Sequence, residues 1–194
     1  MATAKRSRDK CHTVKDILNK KDIQIEQYAF ETKNLDGANE KFLEKTAPLI
    51  GYIVHSFNTL EELLNSAICE ILFDDSDYMG LQVIYRRSYM DKVLLFERLL
   101  IGWQSAVDDE IPIFQDIISN LKEAGNLRNI VVHADWESAH ADGYTQCKLK
   151  INAKGIQHEY VQFTPKSLRD ILRLINKTTK MFDRYEEKRE ALGL

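Results

Sequence analysis

The sequence predicts a mainly α protein, an antiparallel helical bundle with a β-hairpin between the third and last long helices. Three observations predict it. Apolar residues recur every three or four positions along four long stretches of the 194-residue chain. One interval, about residues 144–163, alternates instead, as a half-buried hairpin does. Turn-forming clusters, Asn34-Leu35-Asp36-Gly37, Asp74-Asp75-Ser76-Asp77 and Asn152-Ala153-Lys154-Gly155, separate these stretches.

Residues 1–37 read as a partly ordered N-terminal extension, and 38–194 as the helical domain. Residues 1–12 are expected to be mobile. Thr13 can cap a short helix from Val14 to Lys20, with Val14, Ile17 and Leu18 on one face. Ile23-Gln24-Ile25-Glu26 alternates like a strand but briefly, so residues 22–34 are expected to be ordered without a definite assignment.

From Asn39 to Phe73, Ile50, Ile53, Val54, Phe57, Leu60, Leu64, Ile68, Ile71 and Leu72 repeat at helical spacing. Pro48 lacks an amide hydrogen, so it should kink this helix or mark the start of a second. A second helix is expected from Tyr78 to Gln104, with Leu81, Ile84, Val93, Phe96, Leu99, Leu100 and Trp103 as its apolar stripe. Arg86 and Arg87 stand together on it and are read as partners for neighbouring acids rather than as an RNA contact.

Asp108-Asp109-Glu110 should open the third helix, where negative charge meets the helix N-terminus, with Pro112 in its first turn. Its buried stripe is Ile113, Ile117, Leu121, Ala124 and Val131. In the hairpin, Thr145, Cys147, Leu149 and Ile151 should face inward, while Lys148, Lys150 and Lys154 face solvent. Thr164 then caps a last helix reaching about Ala191, with Pro165 at its first position. Leu168, Ile171, Leu172, Ile175, Phe182 and Tyr185 are its inner face.

Composition excludes several classes. With 44% hydrophobic and 29% charged residues, the chain is globular rather than disordered. No apolar run approaches the roughly 18 residues of a membrane span, and the basic start lacks the hydrophobic segment of a secretion signal. Cys11, Cys69 and Cys147 form no CxxC pair and no disulfide framework, so a cytoplasmic location is expected. Net charge is −3, unevenly spread: +4 over residues 1–22, −10 over 23–163 and +3 over 164–194. An RNA contact would therefore be local, helped by the basic termini.

Candidate chemistry concentrates in Leu127-Arg128-Asn129-Ile130-Val131-Val132-His133. Arginine is a permanently charged fork suited to phosphate oxygens, and histidine gives or takes a proton near neutral pH. Together they can cleave a phosphodiester without a metal, one moving protons while the other neutralises developing charge. On an ideal helix their five-residue offset turns about 140° and rises about 7.5 Å, so the two do not sit side by side. Asn129 and His133, four apart, do, which places Asn129 to orient the imidazole. Arg128 must reach round, the helix must bend, or a second copy must complete the site across a two-fold axis. Alternatively, Arg128 and His133 serve only as a cap and a dipole partner at a helix end. Beyond the motif, His133, Asp135, Glu137, His140 and Asp142 include metal-ligand types but at no standard spacing, so neither metal nor cofactor is expected.

Arg128-Asn129-x-x-x-His133, late in a helix of an all-helical bundle, resembles the R-x4-6-H motif of the HEPN superfamily. The polar residue after the arginine is also usual there. The resemblance covers roughly residues 39–190, as helix order rather than sequence identity. It implies a HEPN-like helical domain and a metal-independent endoribonuclease of a bacterial toxin–antitoxin, abortive-infection or CRISPR system. It further implies a homodimer whose composite site uses Arg128, Asn129 and His133 on RNA, with an antitoxin protein as a further partner. The alternative it leaves open is a non-catalytic HEPN-like module that binds nucleotide, RNA or protein.

Overall fold

The computed structural model describes residues 17–24, 37–73, 77–107, 113–140, 142–153 and 155–191. These form β1 (Asn19–Gln24), α1 (Gly37–Leu72), α2 (Asp77–Ile84), α3 (Tyr89–Val107), α4 (Phe114–Val132), a 3-10 turn (Trp136–Ser138), β2 (Tyr144–Asn152), β3 (Gly155–Gln162) and α5 (Pro165–Ala191). The chain is mainly helical, with one small antiparallel sheet of strand order β1-β3-β2.

Helix α1 is the long strut. Ile53, Phe57, Leu60, Leu64 and Ile68 are buried along one side of it, and it packs along α5, α3 and α4. The helix runs through Pro48 without dividing there. Around the core centre, the Phe96 ring from α3 lies 5.6 Å from that of Phe182 and 5.9 Å from that of Tyr185, both on α5. Burying aromatic side chains of this size dominates the hydrophobic term, at roughly 25 cal/mol per Å² of apolar area. The expected cap of α5 is present and reciprocal. Ser167 N–H donates to Thr164 Oγ1 (3.0 Å) and Thr164 N–H donates to Ser167 Oγ (2.9 Å), with Pro165 at the first helical position.

Four expectations are corrected. The short helix from Val14 to Lys20 does not extend to Lys20, because Asn19 and Lys20 already belong to β1. That strand pairs antiparallel with β3, Asn19 opposite Gln162 and Ile23 opposite His158. Pairing with a strand nearly 140 residues away outweighs the local periodicity. Residues 1–16, where Thr13 and Val14 lie, are outside the described residues.

The single helix from Tyr78 to Gln104 is two, α2 and α3. Between them Arg86 adopts a left-handed φ of 59°. Ser88 then starts α3: its Oγ accepts the Asp91 amide hydrogen (3.2 Å) and its hydroxyl donates to Asp91 Oδ2 (2.7 Å). Ser88-x-x-Asp91 is a capping pattern lying inside an apparently continuous apolar stripe. Leu81, counted in that stripe, is exposed. Arg87 donates through Nε to the Val83 carbonyl (2.7 Å), and among the described residues no acid pairs with it.

The third helix begins at Phe114, preceded by Ile113, and not at Asp108; residues 108–112 lie outside the described ones. Its stripe is as expected, with Ile117, Leu121, Ala124 and Val131 buried and Ile113 partly so.

The fourth correction concerns the hairpin. β2 and β3 are where alternation put them, but the register shifts between Gln146 and Lys148, leaving Cys147 in a β-bulge. One extra residue exchanges the two faces. Thr145, ahead of the bulge, is buried as expected, while Leu149 and Ile151, beyond it, point to solvent, Ile151 at 74% exposure. Ile151 stands opposite Ile156, and Leu149 opposite His158. Lys150 is on the other face, bridging to Asp22 Oδ1 (2.9 Å) and to Glu159. Burial alone would raise the Glu159 carboxyl, but the Lys150 hydrogen bond and the nearby Lys20 outweigh it and hold the group below its ordinary value. Since Ile151 buries little, Ile151→Ser should change unfolding free energy by less than about 0.5 kcal/mol. A urea titration showing a loss above about 1 kcal/mol would contradict this placement.

Candidate functional site

Helix α4 carries the Arg128 region. Gly125 lets the helix approach α3 closely: a Cβ built there would lie 2.6 Å from Tyr89 Cε1. Tyr89, the first residue of α3, hydrogen-bonds through its hydroxyl to the Leu121 carbonyl (3.1 Å). Its ring lies 4.7 Å from that of Phe57 on α1. Burial, and then the neighbouring Glu61 carboxylate, push the Tyr89 hydroxyl well above its ordinary value, so it stays a neutral donor. Three helices thus meet through two aromatic rings and a glycine.

Above that junction opens a cleft of about 390 Å³. Phe57 and Glu61 line it from α1, Gly125, Arg128 and Asn129 from α4, and Ser88, Tyr89 and Met90 from the start of α3. The Arg128 guanidinium lies over the Phe57 ring, 5.1 Å from its centroid. Its Nη1 donates to Asn129 Oδ1 (3.1 Å), and its Nε is enclosed with no hydrogen-bond partner. Among the described residues no carboxylate pairs with it. Glu61, on the same wall, is engaged by Lys92 at 2.7 Å. A guanidinium held over a ring, with Nη1 fastened to Asn129 and no carboxylate partner among the described residues, can offer its terminal N–H groups to a phosphate or carboxylate oxygen.

His133 is the C-cap residue of α4, with φ −96° and ψ 4°, and its amide donates to the Asn129 carbonyl (3.0 Å). Its side chain is exposed and does not line the Arg128 cleft. The chain end beyond it is held firmly. Trp136 Nε1 donates to the Val131 carbonyl (3.0 Å), the Trp136 ring packs 4.8 Å from Phe163, and the Asp135 amide donates to the Gln146 carbonyl (2.7 Å). One chain therefore brings Arg128 and Asn129 together and leaves His133 outside their cleft. The Asn129 side chain is hydrogen-bonded to Arg128 and not to the imidazole it was expected to orient. It shares the exposed face of α4 with His133, as their spacing implied.

Phe57 was read from the sequence only as part of a helix stripe, and Glu61, Ser88 and Tyr89 were not singled out. Signals existed for Ser88 and Tyr89 alone: the capping pattern of Ser88 and Asp91, which places Tyr89 at a helix start, and Gly125 inside a helix, where a close approach is the usual reason. Elsewhere, burial and then the Glu159 carboxylate push the Cys147 thiol up to about 12, so it is not a nucleophile at neutral pH. No group of three or more His, Cys, Asp or Glu side chains arranged to hold a metal ion occurs among the described residues, and no helix among them is long and apolar enough to cross a membrane. No family model matches the chain, and neither a curated protein nor a solved structure matches it.

Proposed function

We propose that the protein is a HEPN-like, metal-independent endoribonuclease of a bacterial defence or toxin–antitoxin system, active as a homodimer in the cytoplasm. The observation that carries this reading is the Arg128 guanidinium, unpaired with any carboxylate among the described residues, enclosed at Nε, and facing an open cleft one and a half turns before an exposed histidine on the same helix. Arg128 takes a non-bridging oxygen of the scissile phosphate and neutralises the charge that builds on it. Asn129 holds the guanidinium in place, a role that replaces the histidine-orienting one.

The ribose 2′-oxygen attacks phosphorus and the bond to the 5′-oxygen breaks, leaving a 2′,3′-cyclic phosphate and a 5′-hydroxyl. One proton leaves the 2′-hydroxyl and one reaches the departing oxygen, and His133 serves one of these transfers. Because His133 does not line the cleft of its own chain, the imidazole facing Arg128 comes from a second copy. RNA cleavage in EDTA by wild type and by His133→Ala tests the proposal. The variant should lose about 100-fold or more in rate, and the wild-type product should carry the cyclic end. Equal rates in the two proteins would reject it.

A second reading, a non-catalytic module binding nucleotide, RNA or a nucleotidyltransferase-type antitoxin, is favoured by the same separation of His133 from the cleft. Growth on expression discriminates them. Arrest by the wild type, relieved by Arg128→Ala, belongs to the ribonuclease; no arrest belongs to the module.

A further inference from the structure

One side of α5 is basic along almost its whole length. Arg169, Arg173, Lys177, Lys180, Arg184 and Lys188 follow one another at three- or four-residue steps, and all are exposed. At about 100° per residue they fall within an arc of roughly 100°, and they run for about 28 Å along the helix. The opposite side holds Leu168, Ile171, Ile175, Phe182 and Tyr185, all buried, so the ridge faces directly away from the bundle. Asp170, at one end, is occupied by Arg173 (2.6 Å) and Lys166 (3.1 Å). Glu187 stands at the other end of the same arc. Among the described residues no carboxylate pairs with Arg169, Lys177, Lys180, Arg184 or Lys188. A solvated helix face usually mixes signs in i,i+4 pairs, and this one sits on a chain of net charge −3. The ridge is therefore a local concentration of unpaired positive charge, not a reflection of overall composition.

We propose that this ridge binds the phosphodiester backbone of a polynucleotide, without regard to base sequence. Its length and its row of unpaired cations fit an extended chain of phosphates rather than one anionic group. An anionic membrane is the other polyanion to weigh. An interfacial helix, however, needs large apolar side chains beside its cations, and every exposed large hydrophobic residue of the described chain lies off α5. The proposal uses the ribonuclease reading only to name RNA, rather than DNA, as the native strand. Binding on the ridge stands whether or not the chain cleaves.

The test is binding of labelled 20-mers to the full chain across a salt series. The ligands are 2′-O-methyl RNA, which has no 2′-hydroxyl to attack, the DNA of the same sequence, and phosphatidylserine vesicles. The triple variant Lys177→Gln/Lys180→Gln/Arg184→Gln is compared with Lys41→Gln/Lys45→Gln/Arg98→Gln, which removes the same charge from exposed positions elsewhere. The ridge variant should bind both oligonucleotides about tenfold more weakly at roughly 0.1 M salt, and its log–log salt slope should fall by about 2. The control should stay within about twofold of wild type. The single variant Lys180→Gln, with a slope loss near 0.7, serves if the triple one melts early. Absence of oligonucleotide binding by wild type, equal losses in ridge and control variants, or vesicles bound in preference to oligonucleotides would each overturn the proposal. Loss of the ridge effect with His133-dependent cleavage intact removes this proposal alone. Loss of cleavage with ridge binding intact removes the ribonuclease alone.

Discussion

Gly143→Ala is expected to destabilise the protein by about 3 kcal/mol, the sum of roughly 1–2 for a left-handed backbone and 1–3 for overpacking. Gly143 has φ 84°, and a Cβ there would fall inside van der Waals contact with the Phe163 carbonyl oxygen. Neither obstacle can be relieved alone. The Gly143 carbonyl accepts the Phe163 amide hydrogen (2.9 Å), and its own amide donates to the His140 carbonyl (2.8 Å). Moving the backbone to admit a methyl group breaks the bonds that join β2 to the entry of α5. For a chain of this length the melting temperature should fall by about 6–12 °C. A thermal melt within 2 °C of wild type, on the same scale of about 2–4 °C per kcal/mol, would show that the turn is not held as described.

Under the proposed ribonuclease function, Arg128→Ala is expected to slow RNA cleavage by about 100- to 1,000-fold, the usual cost of losing one preorganised donor to a developing oxyanion. Arg128→Lys should recover little of that rate. Lysine keeps the charge, but it has no planar fork to lie on Phe57 while reaching both Asn129 and a phosphate. The stability cost of either change should be small, about 1 kcal/mol for the lost cation–π contact and packing. Rate and stability therefore separate. Cleavage at the wild-type rate by Arg128→Lys would mean that guanidinium geometry is not used. A large drop in melting temperature with no activity to lose would make Arg128 a packing residue.

The long helices were legible because their signals are local. The apolar spacing from Ile50 to Leu72 marks α1, and Thr164-Pro165 marks the start of α5 at the correct residue. The hairpin turn near Asn152 was legible for the same reason. Features that depend on distant partners were not. β1 exists because β3 supplies its hydrogen bonds, so residues 19–24 read as the end of a helix and an undefined segment. The break at Arg86 was hidden because apolar residues continue on both sides of it, Leu81 and Ile84 before and Val93 and Phe96 after, with no proline or glycine between them. The bulge at Cys147 is invisible to a count of alternating residues, yet it decides which of Lys150 and Ile151 meets solvent.

The candidate site divides in the same way. Its residue types, and the turn of helix that separates Arg128 from His133, follow from spacing along one element, because an α-helix converts sequence offset directly into rotation and rise. Which neighbours surround Arg128 does not. Phe57 and Tyr89 come from α1 and α3, brought to Gly125 by packing among three helices. The sequence by itself determined that this is a helical chain bearing a fork of positive charge and an imidazole at one helix end. Only the tertiary structure decided that the guanidinium lies in a cleft and the imidazole outside it, because close packing of side chains, unlike helical periodicity, is set by elements far apart in the chain.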